Sequence, residues 1–184
     1  AGADTDRAIF GDASLTDYAI EFNARVATTI NHAVTAEVRY DSATGNSYRV
    51  DFADASHALG EGVHIYYNTG GGDTLLGTLA IPTGFDISTQ HTYRVEVEGK
   101  NIRAYVDGTL LGVVSDQVTG VGDLAAGQAT VRTDDDGEAV FWDNIKLTPL
   151  STANGVGDLL NTSLASLGVT TANSLMTKIG RAHV

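Results

Sequence analysis

The chain has no cysteine, which excludes a disulfide framework, thiolate metal sites and a thiol nucleophile. Positive charge is scarce: 11 Lys and Arg stand against 23 Asp and Glu, for a formal net charge of −12. Nucleic acid and anionic membrane both require basic patches, so neither is expected as a partner. No run of about 18 apolar residues exists, so no segment can cross a bilayer as a helix. Proline occurs only twice and tryptophan once. The nucleophile-elbow pattern G-x-S-x-G is missing, and His32, His57, His64, His91 and His183 are scattered without metal-ligand spacing. No leader peptide stands in the chain; its start, Ala-Gly-Ala-Asp without methionine, leaves room for one upstream.

What is present is glycine (21 residues) and a 42% hydrophobic content, spread over 184 residues. That is enough for one domain with a full core. The clearest pattern runs from Thr92 to Val114, TYRVEVEGKNIRAYVDGTLLGVV. Gly99-Lys100 suits a type II′ turn and Asp107-Gly108 a type I′ turn, so the segment reads as three antiparallel strands. Two-residue loops set the register. Val97 faces Ile102, Val95 faces Ala104 and Tyr93 faces Val106; across the second turn Val106 faces Thr109, Ala104 faces Leu111 and Ile102 faces Val113. One face is then apolar. The other pairs Glu96 with Arg103 and Arg94 with Tyr105.

Alternation elsewhere predicts further strands at Ala8–Phe10, Asp17–Val26, Val34–Asp41, Ser47–Ala53, Gly62–Asn68, Thr74–Ile81, Gln128–Thr133 and Ala139–Leu147. Turn signals separate them, among them Thr44-Gly-Asn46 and Gly70-Gly-Gly-Asp73. Eleven short strands in this rhythm mean an all-β sandwich or barrel. After Thr148 the composition shifts to Ser, Thr, Asn, Gly, Leu and Ala, and aromatics cease.

YRVEVEGKNIRAYVDG, followed by AVFWDNIKL, resembles the end of concanavalin A-like (laminin G-like) domains of bacterial secreted proteins. DYAIEFNARV and VRYDSATGNSYRVDF resemble their opening strands. The resemblance covers roughly Ala8 to Leu147. It implies an all-β, concanavalin A-like jelly-roll sandwich of two antiparallel sheets. The same fold serves lectins, adhesion modules and glycoside hydrolases, so function has to be argued from the site.

Residues 1–7 read as a linker leading into the domain, 8–148 as the sandwich, and 149–177 as a linker or the start of a truncated following unit. The last residues, 178–184, resemble the translation of a common sequencing adapter, so Arg181 and His183 are given no functional weight.

A laminarinase-type enzyme needs an E-x-D-x-x-E strand, where alternation puts the carboxylates on one face. Glu96-Val-Glu98 ends in a turn and lacks a third acid. Glu37 and Asp41 have the wrong spacing. A glycan-binding face requires rings and polar groups together, since sugars stack on rings and hydrogen-bond through hydroxyls. The outward positions Arg39, Arg49, His64, Tyr66 and Arg132, with Trp142 a further option, are the candidates for such a face.

Asp143 shares parity with Phe141 and Ile145, so it points inward if they do; the alternative is that Trp142 is the inward residue. Many domains of the resembled kind hold a structural Ca²⁺ with the last strand's aspartate and the N-terminal loop. The resemblance therefore implies a calcium site at Asp143, Asp12 and Gly11. The acidic turn Asp134-Asp135-Asp136-Gly137-Glu138 lacks EF-hand spacing and reads as exposed.

The expectation is a non-catalytic module of a larger secreted or cell-surface protein, with a glycan and neighbouring domains of the same chain as partners. The alternatives are an adhesive spacer without a small ligand, and a sugar-processing domain of the glycoside hydrolase or keto-disaccharide hydrolase kind.

Overall fold

The computed structural model describes residues 7–27, 33–69, 71–118, 124–133 and 139–150. The chain divides into two units, Ala1–Pro149 and Leu150–Val184. Among the described residues there are eleven strands: β1 (Arg7–Phe10), β2 (Tyr18–Val26), β3 (Ala33–Tyr40), β4 (Asn46–Ala53), β5 (Gly62–Thr69), β6 (Asp73–Leu79), β7 (His91–Glu98), β8 (Asn101–Val106), β9 (Thr109–Ser115), β10 (Gln128–Arg132) and β11 (Val140–Pro149). Arg7 opens the first strand rather than closing a linker.

Two antiparallel sheets form, a six-stranded one ordered β1-β10-β3-β4-β5-β6 and a five-stranded one ordered β11-β2-β7-β8-β9. The connections β1–β2, β2–β3, β6–β7, β9–β10 and β10–β11 pass from one sheet to the other. This is the two-sheet sandwich that the alternation and the resemblance imply. The core lies between the sheets, where Ile20, Phe22, Val34, Val50, Phe52, Ile65, Val95 and Ile102 are fully buried. Tyr93 anchors its aromatic part, with the rings of Phe52 at 4.9 Å and Phe22 at 5.7 Å.

The meander keeps its predicted register through the first hairpin: Tyr93, Val95 and Val97 face Val106, Ala104 and Ile102. Glu96 faces Arg103 and Arg94 faces Tyr105, as expected. Positive φ at Gly99, Asp107 and Gly108 fits the two turn types. Beyond the second turn the register differs. Val106 faces Thr109, but Ala104 faces Gly112 and Ile102 faces Val114, because a bulge takes in one extra residue at Leu111. The bulge turns Leu111 and Val114 onto the core and leaves Leu110 and Val113 exposed. A residue larger than glycine at 112 would collide with Leu79, so Gly112 lets the shifted strand settle.

A second bulge, at Arg39, shifts the pairing of β3 with β10: Thr130 faces Glu37 while Gln128 faces Tyr40. Arg39 has φ 53°. Its amide, out of the regular ladder, donates to the Tyr18 hydroxyl at 2.6 Å, and that hydroxyl donates to the Gln128 carbonyl at 2.8 Å. Burial pushes the Tyr18 hydroxyl pKa well up, which keeps it protonated and able to donate. Gly127 packs so closely that a Cβ there would lie 2.4 Å from the Arg39 carbonyl carbon.

Two outcomes follow from this geometry. Gly127→Ala pushes a methyl into backbone that cannot yield, and a loss of about 3 kcal/mol is expected in urea unfolding, the upper range for overpacking. Gly108→Ala, at φ 76° with open space around it, should lose only about 1 kcal/mol. At Asp107, burial raises the carboxyl pKa, but hydrogen bonds from the Thr92 amide and His91 outweigh it and hold the group below its ordinary value. A folded value below the unfolded one gives stability that is fully present above the unfolded value of about 4 and is lost as pH falls from there through the lower folded value. Asp107→Asn is expected to flatten that acid limb in chemical denaturation measured across pH.

Candidate functional site

The outer face of the six-stranded sheet carries two cross-strand rows. One runs Ile9, Thr130, Glu37, Arg49, Tyr66, Leu75; the other Arg7, Arg132, Thr35, Asp51, His64, Thr78. Strand alternation produces them: Val34, Ala36, Val38, Tyr48, Val50, Phe52, Val63 and Ile65 take the core side, so the residues between them point away. Such a face is usually solvated and loosely ordered. Here Thr35, Glu37, Asp51 and Thr130 are fully buried, under the long side chains around them.

Glu37 is the hub of one half. Its Oε2 accepts from the Thr130 hydroxyl at 2.8 Å and lies 3.0 Å from Arg7 Nε. Its Oε1 accepts from Arg7 Nη2 at 3.2 Å and lies 3.6 Å from Arg132 Nη1. Arg7 also donates to the Tyr40 hydroxyl at 3.0 Å and lies over that ring, 4.4 Å from its centre. The Arg39 bulge brings Tyr40 round to this side. In the other half Asp51 accepts from the Thr35 hydroxyl at 2.9 Å and pairs with Arg49 at 3.0 Å. Arg49 reaches Asp73 at 2.8 Å and lies over the Tyr66 ring, 4.3 Å from its centre.

His64 sits beneath the surface of this face. Its Nε2 is 2.9 Å from the Gly60 carbonyl and its Nδ1 3.2 Å from the Thr78 hydroxyl. The first contact requires Nε2–H, since a carbonyl can only accept. The His57 ring stacks on it at 4.9 Å. Past the end of the face, beside Tyr40, a hollow of about 390 Å³ is lined by Ala13, Tyr40, Asp41 and residues 124–127.

The structure thus brings Arg49, His64, Tyr66 and Arg132 onto one face, with His64 in a supporting position. Arg39 does not join them. The bulge turns its guanidinium to the end of the sandwich, where it donates to the Thr16 and Leu124 carbonyls and to Asp17. Trp142 packs against the core and also stays away from this face. Arg7, Glu37, Asp51 and Asp73 belong to the network but were not singled out as ligand residues. The Arg7–Ile9 alternation and the shared parity of Glu37 with Arg49 were the available signals.

The proposed calcium ligands do not converge. β11 has a bulge after Asp143, with Asn144 at φ 53°. Trp142 is therefore the inward residue, Ile145 and Leu147 return to the core, and Asp143 is exposed. Its carboxylate accepts from the Asn144 amide at 2.7 Å. Gly11 packs against Leu15 and Leu147, and Leu147 pairs with Ile20. Asp143 pairs with Asn23, roughly 10 Å further along β2 at 3.3 Å per residue. Asp12 accepts from the Ser14 amide within its own loop. These three residues do not fit one calcium ion, and among the described residues no cluster of three His, Asp or Glu forms a metal site. The acidic turn 134–138 lies outside the described residues.

Glu37→Ala would strip the counter-charge from beneath Arg7 and Arg132. Loss of one partner from a buried pair costs about 3 kcal/mol, and urea midpoints should show it. Glu21→Ala, whose 3.4 Å contact with Arg94 lies within the five-stranded sheet and is partly exposed, should change stability by less than about 1 kcal/mol.

No protein-family model matches the chain, and no curated protein matches it in sequence. Solved structures match its fold. The carbohydrate-binding module CBM66 from Bacillus subtilis is similar over 72% of this chain and 75% of its own, at 19% identity and a TM-score of 0.58. Sheep galectin-11 is similar over 80% and 99%, at 9% identity and 0.54. A β-glucanase from Bacillus licheniformis is similar over 79% and 70%, at 16% identity and 0.50. At such identities the likeness is one of fold: a concanavalin A-like jelly-roll sandwich.

Proposed function

We propose that this domain is a non-catalytic carbohydrate-binding module, with its ligand lying across the outer face of the six-stranded sheet. One observation carries the reading: that face holds two internally bonded polar clusters, around Glu37 and around Asp51, which together draw on all six strands, with guanidiniums held in place by carboxylates beneath. Donors fixed in this way lose little entropy when a ligand arrives. Arg49 and Arg132 are the contact residues, Arg7 joins them, the Tyr66 ring holds Arg49 from beneath, and His64 supports them from below. The hollow beside Tyr40 gives a longer sugar chain room at the end of the face. The fold neighbours described as a carbohydrate-binding module and a galectin support a sugar as the ligand class.

The β-glucanase neighbour speaks for an enzyme, but the carboxylates on this face speak against one. Glycoside hydrolysis needs two carboxyl groups open to the scissile bond. Glu37 and Asp51 have side chains with no exposure, and both are engaged with arginine and threonine. In this reading the module belongs to a larger secreted or cell-surface protein and works beside neighbouring domains.

A glycan panel with the 184-residue chain tests the proposal. At least one glycan class should bind, with affinity falling on the order of tenfold in Arg49→Ala and in Tyr66→Ala, which loses the ring beneath Arg49. Arg94→Ala, on the other sheet, should bind as the parent does. Equal binding by all three variants would remove the site. No binding to any glycan would remove the function and leave an adhesive spacer as the better reading.

A further inference from the structure

With the ligand class taken from the carbohydrate reading above, but on other residues, we infer a second sugar-binding site, built on Phe141 on the outer face of the five-stranded sheet, so that one domain bridges two glycan chains. Sugars stack their C–H faces on rings. On the six-stranded sheet both outward rings are taken. Arg7 lies over Tyr40 and Arg49 over Tyr66, and each tyrosine is only 7% exposed. Phe141, at 53%, is the one exposed aromatic ring among the described residues.

Its position follows from β11. Val140 and Trp142 turn to the core, so Phe141 points outward, opposite Arg25 of β2. The Arg25 guanidinium lies over the ring, 4.5 Å from its centre. That contact covers one side of the ring and holds it in place, so little freedom is lost when a ligand arrives. β11 is the border strand of its sheet, so no strand covers the other side.

Partners for sugar hydroxyls stand in the next cross-strand row, two residues or about 7 Å along β11. There Asp143 faces Asn23, and Asn23 faces Thr92. The Thr92 hydroxyl donates to Asn23 Oδ1 at 2.8 Å, which turns the Asn23 amide nitrogen away from β7 and towards β11. Asp143 is exposed, and its carboxylate accepts from the Asn144 amide at 2.7 Å and from the Asn144 side chain at 3.4 Å. A carboxylate has about four acceptor positions, so capacity remains. Residues directly opposed in a ladder have Cβ atoms about 5 Å apart. Yet among the described residues no hydrogen bond joins Asp143 to Asn23. A hydroxyl set between them accepts from the amide and donates to the carboxylate. A hydroxyl plays both roles and an anion only one, so the ligand is a neutral sugar. It carries no charge for the acidic turn 134–138, outside the described residues, to repel.

The outer faces of the two sheets point in opposite directions, with about 10 Å of packed core between the sheets. A glycan seated on one face cannot lie on the other, so filling both sites joins two chains.

The test uses the full chain with four neutral polymers, laminarin, levan, xyloglucan and galactomannan. Calorimetry at low and high salt reads affinity, and light scattering reads cross-linking. At least one polymer should bind Arg49→Ala, in which the first site is weakened, with an affinity that salt leaves unchanged. Adding Phe141→Ala to that variant should lose on the order of a further tenfold, whereas Phe141→Tyr in its place should keep the binding. Leu110→Ala, similarly exposed at the far border of the same sheet, should lose nothing. The parent should cross-link the polymer and Phe141→Ala should not. Thermal melts report whether Phe141→Ala is folded, and Asp143→Ala, expected to weaken the same site, decides if it is not. Binding that falls in Arg49→Ala and is unchanged in folded Phe141→Ala and Asp143→Ala overturns the second site while the carbohydrate module stands. Binding that falls in Phe141→Ala and is unchanged in Arg49→Ala upholds the Phe141 site and overturns the bridge together with the first site. Binding of none of the four, together with an empty wider panel, overturns both sites.

Discussion

A carboxylate with no solvent contact, on the side of a sheet that should face water, is the constraint around which this structure is arranged. Glu37 cannot be buried as a charge unless groups around it supply the stabilisation that water would have given. Thr130 and Arg7 bond to it, and Arg132 adds charge from the neighbouring strand. Those residues come from β10 and β1, which are far from β3 in sequence. The same contacts that neutralise the glutamate therefore tie the edge strand β1 and the crossover strand β10 to the middle of the sheet. The ordering of the face and the closure of the sheet are one event.

The opposite end of β3 has its own fixed point. At Arg39 the ladder to β10 breaks, the freed amide turns to the Tyr18 hydroxyl, and the guanidinium binds loop carbonyls and Asp17. Tyr18 belongs to the other sheet, so one phenol joins the two layers. Asp17 in turn accepts from the Gly99 amide at the first meander turn. An arginine that alternation assigns to a ligand surface is thereby used to fasten three loops, and the ring of Tyr40 becomes available beside Arg7 in its place.

Period-two alternation made all eleven strands, the two-sheet architecture and the first meander hairpin legible in the sequence. It failed wherever a bulge inserted one residue. At Leu111 the predicted register slipped by one; at Arg39 a presumed outward side chain left its face; at Asn144 the parity of Asp143 and Trp142 exchanged with respect to Ile145. The bulges at Arg39 and Asn144 have no Gly, Pro or Asn-Gly signal beside them, whereas those at Leu111 and Leu76 adjoin Gly112 and Gly77. Arg49, Tyr66 and Arg132 were recoverable because no bulge separates them from the core residues that set their parity. The burial of Glu37 and Asp51 was not, because it depends on which arginine from a distant strand lies over them.

The bulge in β9 has a bearing on how molecules of this protein meet one another. β9 borders the five-stranded sheet and exposes Leu110 and Val113. A regular strand of that composition would offer a second molecule an even row of amides and carbonyls for sheet extension. The extra residue at Leu111 puts that row out of step halfway along, so an incoming straight strand can match one half or the other and not both. The irregularity that upsets the register inside the domain also keeps its apolar border from seeding fibres.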